Sequence, residues 1–244
     1  DDLLDPTPQH DSTQVKPRQW DAPTIEKPEG LAFGGDPGLD ILMFKGLHNY
    51  AYRIPEAVQE LVPEARLTQI TGRPKEMPRD HADYYKFDVI VLADYGDGLN
   101  VNAHQCLADF VEAGGRLIVL GGIGTLGQGF FKGSPLEPVL PVEIRTARDI
   151  YRAPKPLVLG KRKRGTYPGR PVLYYFHAVK PRADAKARMW AGNLPVLWER
   201  SVGKGKAVVF VGTTLGESEG KDETPFWEWN RWPKTLGKFI VGKR

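Results

Sequence analysis

The sequence predicts an α/β chain, a doubly wound and mostly parallel sheet that carries a small antiparallel β extension. Three observations lead there. Two short and largely apolar runs, residues 87–92 and 116–120, flank one amphipathic stretch, residues 101–113, with brief joins between them. Strands covered on both faces read as near-continuous apolar runs, and a strand–helix–strand order implies a right-handed parallel crossover. After Pro141 the pattern breaks into short β-branched and aromatic runs separated by Pro, Gly and basic residues, which suits antiparallel strands.

Residues 1–38 are read as an extended N-terminal arm. It is polar and punctuated by Pro6, Pro8, Pro17, Pro23 and Pro28, a composition that builds no core of its own. Leu3, Leu4, Trp20 and Ile25 are its anchors, and the expectation is that they bind a protein partner rather than this chain. The domain proper spans 39–244. Residues 39–44 form the first strand, and residues 53–61, with Pro55 near the start and Ile54, Val58 and Leu61 on one face, form a helix. A second strand covers 65–71. The third, 87–92, ends at the polar loop 93–98, in the place where open α/β sheets bind ligands. The helix over 101–113 is capped by Asn100 or Asn102 and stopped by Gly114 and Gly115, with Leu107, Phe110 and Val111 inward. The strand over 116–120 then enters a glycine-rich turn, 121–129.

A basic, β-rich insertion occupies about 145–195, with short strands at 142–144, 157–159, 172–176 and 196–199. A tight turn at 203–206 precedes a strand at 207–211 that returns to the main sheet, and a closing helix runs through Leu236, Phe239 and Ile240. Trp227, Trp229 and Trp232 are read as pinning that helix to the sheet.

Composition excludes several classes. With 41% hydrophobic and 26% charged residues the chain is ordinary for a globular domain, and no apolar run reaches the ~18 residues needed to span a bilayer. Cys106 is the only cysteine, which excludes an internal disulfide framework and a Cys-rich zinc site. The net charge of +4 is too small to indicate nucleic acid. The chain begins with Asp1 rather than Met, which leaves room for a leader already removed, so an exported or periplasmic location is expected over a cytoplasmic one.

Candidate chemistry gathers at the carboxyl ends of the predicted strands. Asp94 and Asp97 could hold a cation or act as acid and base, although a turn-capping Asp94 and a solvated Asp97 rank ahead. His48 and Tyr50 could face the same crevice. Gly121, Gly122 and Gly124 could cradle an anion, with a tight structural turn as the favoured reading. His104 is placed on its helix surface and His177 in a strand. No histidine pair has helical metal-ligand spacing, so neither metal nor cofactor is expected. Lys161, Arg162, Lys163 and Arg164 form the densest basic run. An exposed hairpin tip is the first reading, and an anionic surface is the partner it would suit.

The segments 87–99 and 107–144, followed by the 203–213 strand and the Trp-rich ending, resemble a bacterial branch of the class I glutamine amidotransferase-like family in the order and spacing of their motifs. The resemblance spans roughly 39–240 and implies a flavodoxin-like architecture. It also implies a nucleophilic Cys at the elbow after the 116–120 strand, with a His and a Glu after a late strand. At the elbow this chain has Gly121, Gly122, Ile123, Gly124 and Thr125. After the late strand it has Gly212, Thr213, Thr214, Leu215, Gly216 and Glu217. The thiol and the base are both missing, and acyl-transfer chemistry needs the two within hydrogen-bond reach. The expectation is a non-catalytic domain acting as a binding or assembly subunit. The alternative is a hydrolase or transferase built from Asp94, Asp97, Thr125 and Glu217.

Overall fold

The computed structural model describes Trp20, residues 25–31, Phe33, and residues 38–161, 165–218, 220 and 223–242. Its centre is a five-stranded parallel sheet in the order β2 (Arg66–Ile70), β1 (Asp40–Lys45), β3 (Val89–Ala93), β4 (Arg116–Leu120) and β12 (Gly205–Phe210). These strands are parallel because their connections are crossovers: α1 (Ile54–Leu61) joins β1 to β2, and α3 (Val101–Ala113) joins β3 to β4. The chain steps one way across the sheet from β1 to β2 and the other way from β3 to β4. Right-handed crossovers therefore put α1 and α3 on opposite faces. α4 (Trp232–Val241) packs on α1, and α2 (His81–Tyr84) packs on α3. Ile41, Ile90, Val91, Leu117 and Val119 are fully buried between these layers.

The predicted caps resolve. The Asn100 side chain accepts the Ala103 N–H at 2.8 Å and so starts α3, while Asn102 lies within the helix. Pro55 sits in the first turn of α1, where its missing N–H costs nothing. Trp232 is fully buried against Phe210 and Phe226, with ring centroids 5.3 and 4.6 Å away, and so pins the start of α4.

The sheet continues past β12 with antiparallel neighbours: β11 (Leu194–Val202), β10 (Lys186–Ala191), β6 (Ile150–Lys161) and β8 (Pro171–His177). β13 (Thr224–Pro225) adds to β8, and β7 (Gly165–Thr166) adds to β6. A separate ribbon pairs β5 (Val142–Ile144) with β9 (Val179–Pro181). The antiparallel part is larger than the sequence indicates. β6 runs for twelve residues where only 157–159 was expected, because Pro154 and Pro156 interrupt its apolar pattern. A register shift between Arg152 and Leu157 carries both prolines through the ladder without the N–H groups they lack. The sequence does not mark β10, whose alternating Lys186 and Arg188 hide a half-buried strand.

The arm is corrected. The Trp20 ring lies on His104 of α3, 4.4 Å between centroids, and its indole N–H donates to the Lys132 carbonyl at 3.1 Å. Ile25, Leu31 and Phe33 pack against the domain core. Trp20 and Ile25 thus anchor the arm to its own chain, where the apolar gain offsets the ordering of a core-less segment. Leu3 and Leu4 lie outside the described residues. His104, expected on the helix surface, is fully buried because Trp20 covers it on one side and Phe131 on the other. Lys161 is exposed at the end of β6, opposite Gly165 of β7 in an antiparallel pair, in keeping with a hairpin tip. Arg162, Lys163 and Arg164 fall outside the described residues.

Trp20→Ala should lower stability by about 1–3 kcal/mol, from lost ring contacts and the uncovering of His104. Urea denaturation of the two proteins checks this, and equal midpoints would mean that the arm does not brace the domain.

Candidate functional site

The carboxyl ends of β1, β3, β4 and β12 meet in one crevice, and the strand order reverses between β1 and β3, where such sheets open. Asp94 stands at that point. It directly follows β3 and adopts a left-handed backbone, φ 52°, a conformation more accessible to Asp than to most residues. This turn sends its side chain inward, and the residue is 1% exposed. Its Oδ1 accepts the Gly124 N–H at 2.8 Å. Its Oδ2 accepts the His48 backbone N–H at 3.0 Å and lies 3.2 Å from His48 Nδ1. A buried carboxylate requires such donors, and those from backbone amides and imidazole are charge-assisted.

The same carboxylate explains why glycine stands at position 122. A Cβ on Gly122 would sit 2.0 Å from Asp94 Oδ1, so no residue larger than glycine fits while Asp94 is there. Gly46 is constrained in the same way, since a Cβ there would lie 1.5 Å from the Asp94 carbonyl oxygen. The space above Gly122 is filled by the Asp94 carboxylate.

The amides of the three glycines are engaged within the chain. The Gly121 N–H donates to Phe210 O at 2.8 Å, the Gly122 N–H to His177 Nε2 at 3.1 Å, and the Gly124 N–H to Asp94. An anion cradle needs N–H groups aimed at open space. At Gly121, Gly122 and Gly124 these bonds agree with the favoured tight-turn reading over the anion cradle. The Tyr52 hydroxyl adds a lock: its single proton is donated to the Gly121 carbonyl and shared with that of Gly212 at 3.1 Å. Burial first, and the Asp94 charge second, push the Tyr52 phenol well above its ordinary range, which keeps it a donor.

The sequence marks His177 only as a strand residue and does not mark Asp149. Both belong to this region and both are fully buried. His177 ends β8 and accepts the Gly122 N–H on Nε2, so the ring proton resides on Nδ1. Asp149 Oδ1 lies 2.9 Å from Nδ1 but out of line for a hydrogen bond, while Asp149 Oδ2 accepts the Gly127 N–H at 3.0 Å. With its lone pair committed to the turn, His177 holds the elbow and has no site left to take a proton from a substrate. A lone polar residue closing an apolar run was the only signal for it. Asp149 lies in a loop and had none.

The other candidates scatter. Thr125 is buried, and its hydroxyl donates to the Gly122 carbonyl at 3.2 Å. Asp97 is exposed, and its backbone N–H ties to the Gly124 carbonyl at 3.1 Å. Glu217 is exposed on the segment after β12. Tyr50 is 73% exposed beside His48. Cys106 lies buried in α3, and burial pushes its thiol up to about 12, which makes it a poor nucleophile at neutral pH. Among the described residues no cluster of three His, Cys, Asp or Glu side chains could hold a metal ion, and no helix is long and apolar enough to cross a membrane.

Beside the crevice, the β5–β9 ribbon and the β10–β11 hairpin enclose a cavity of about 550 Å³. Trp190, Trp198 and Leu194 line it, Val211 and His177 border it, and Arg145 stands among its polar groups.

No protein-family model matches this chain, and no curated protein matches it. Solved structures do. A protein described as a cytoplasmic protein from Salmonella typhimurium LT2 aligns over 84% of this chain and 100% of its own, with TM-score 0.67 and 15% identity. A second cytoplasmic protein from Salmonella typhimurium aligns over 84% and 98%, with TM-score 0.66 and 16% identity. A ThuA-like protein from Bacteroides uniformis aligns over 91% and 96%, with TM-score 0.55 and 10% identity. At such identities the likeness is one of fold.

Gly122→Ala should cost about 3 kcal/mol, because the added methyl overlaps the Asp94 carboxylate. In an Asp94→Gly background, which suits the left-handed backbone and removes the three atoms nearest that methyl, the same change should cost less, with a coupling of about 1–3 kcal/mol. Chemical denaturation of the four proteins measures this cycle, and additive effects would contradict the placement of Asp94.

Proposed function

We propose that this chain is a non-catalytic domain of the class I amidotransferase-like, flavodoxin-like architecture and that it works as a binding or assembly subunit. The carrying observation is that neither of the two elbow positions where the family resemblance would require a nucleophile can supply one, since the Asp94 carboxylate fills the space over Gly122 and the other position is Ile123. The parallel strand order β2-β1-β3-β4-β12 supports the architecture, being that of flavodoxin-like sheets. The commitment of His177 Nε2 to the turn supports the absence of a base. Binding is assigned to the crevice side rather than to the arm, whose Trp20 and Ile25 are already engaged. The description of the two Salmonella proteins as cytoplasmic weighs against an exported location for this one.

A second reading, hydrolase or transferase chemistry without a thiol, is favoured by one observation. Buried Asp94 orients the imidazole of His48 through Nδ1, the His48 side chain is 28% exposed, and Nε2 is the atom that could take a proton. No hydroxyl or thiol is placed against that atom in the described hydrogen bonds, and this ranks binding ahead.

The purified chain should release no ammonia from glutamine above the buffer rate, and should hydrolyse p-nitrophenyl acetate no faster than a His48→Ala variant. Ammonia release lost in His48→Ala, or ester turnover lost with it, would favour the second reading and count against binding alone.

A further inference from the structure

Two β-bulges shape one wall of the cavity beside the crevice. In a regular strand, residues three apart face opposite sides of the sheet. Here Ala187 and Trp190 of β10 both line the cavity, and so do Pro195 and Trp198 of β11. The cause is a pair of register shifts in the β10–β11 ladder, one between Ala187 and Met189 and one between Met189 and Trp190. The first passes over Arg188 on β10 and the second passes over Val196 on β11, so each strand turns over once and both indoles come to one face. Trp198 then lies opposite Ala187, and Trp190 opposite Pro195, small or flat neighbours that leave both half-buried rings open toward the gap. Continuing the sheet requires neither bulge, and together they aim two indoles at one space.

The cavity holds about 550 Å³, within the ~300–1,000 Å³ of small-molecule sites. Val179 and Pro181 of the ribbon, with Leu194 and Val211, add apolar lining. The charged and titratable side chains described at the cavity are engaged within the chain. Lys180 pairs with Glu143 at 2.9 Å, and Arg182 shares that carboxylate at 3.5 Å. Arg145 has its own interaction in the chain. The His177 ring accepts the Gly122 N–H on one nitrogen and has Asp149 beside the other. A charged ligand would have to displace one of these partners or enter the gap unpaired, and an unpaired charge taken out of water is costly. A sugar would meet the same difficulty at several hydroxyls. An uncharged flat ring needs no new partner, because its faces meet indole, where aromatic contacts gain beyond their area alone.

We propose that this cavity is the ligand site of the domain and that it takes an uncharged planar aromatic molecule, seated against Trp190 and Trp198. The inference rests on the reading of the chain as a binding domain and names the class of its ligand. Asn193, exposed in the turn between β10 and β11, stands at the rim, where an amide can meet one polar substituent of such a ring. His177 borders the cavity and also holds Gly122, so the site adjoins the elbow without using it.

The probe is N-phenyl-1-naphthylamine, an uncharged fluorophore, titrated into the full chain with energy transfer from tryptophan as the readout. One saturable site per chain is expected. Its sulfonated counterpart, 1-anilinonaphthalene-8-sulfonate, should bind about tenfold more weakly, because its charge finds no spare partner. 2-Naphthol should displace the probe about tenfold better than the saturated decahydro-2-naphthol, since two ring contacts of ordinary strength amount to that factor. Ala187→Trp, which fills the gap while keeping both indoles, should abolish the site, and an unchanged melting temperature would show that the fold persists. The comparisons among ligands use the unaltered chain and hold whatever the variant does to stability. Unsaturable binding, equal or tighter binding of the sulfonate, equal displacement by the saturated alcohol, or binding that survives Ala187→Trp would each overturn the proposal. So would sedimentation that shows a dimer which Ala187→Trp dissociates, since a second copy would then cover the cavity. If the probe fails while glutamine and ester remain untouched, the cavity assignment alone falls. If glutaminase activity appears, it is the reading as a binding domain that falls.

Discussion

The carboxylate of Asp94 is where the loops after β1, β3 and β4 are tied together. It receives backbone N–H groups from His48 and from Gly124, one from each side of the strand that carries it. A buried carboxylate is costly without donors, so each of these loops must come close enough to supply one. That requirement explains the two glycines that no side chain could replace, Gly46 under the Asp94 carbonyl and Gly122 under its carboxylate. It also accounts for the left-handed backbone at Asp94, a local cost of about 1–2 kcal/mol that persists because surrounding contacts over-determine it. The crevice is thereby filled from within by the protein's own acid.

Around this tie the neighbouring polar groups have structural tasks. Tyr52 clamps the Gly121 and Gly212 carbonyls together, joining the turn after β4 to the segment after β12. His177 reaches in from the antiparallel half to hold Gly122, with Asp149 beside its other nitrogen. Each of these groups fastens one loop of the crevice to another. The open concavity lies one step outward, where the ribbon and the β10–β11 hairpin stand apart, and its indoles and cations come from the antiparallel half rather than from the parallel core.

The parallel half was legible because its signals are local. The runs ending at Leu92 and Leu120 are apolar throughout their buried stretches, Asn100 caps α3 and Gly114 stops it, and Asp94 falls at the strand end where the argument from topology places a site. The antiparallel half was less legible for equally physical reasons. Pro154 and Pro156 mask β6, surface charges mask β10, and the contact of His177 with Gly122 joins residues 55 apart in sequence. The arm misled because its Pro-rich composition speaks only of its lack of a core. It carries no information about which surface Trp20 covers, and that surface proved to be His104 of the same chain.

The most direct test of the account is native-state amide hydrogen exchange at Gly124 in the intact protein and in Asp94→Gly, with the Gly127 amide, held by Asp149, as the internal reference. The account predicts that removal of the carboxylate accelerates exchange at Gly124 and at His48 well beyond any change at Gly127. Equal protection of Gly124 in both proteins, or acceleration of Gly127 to the same extent, would contradict the claim that Asp94 closes the crevice.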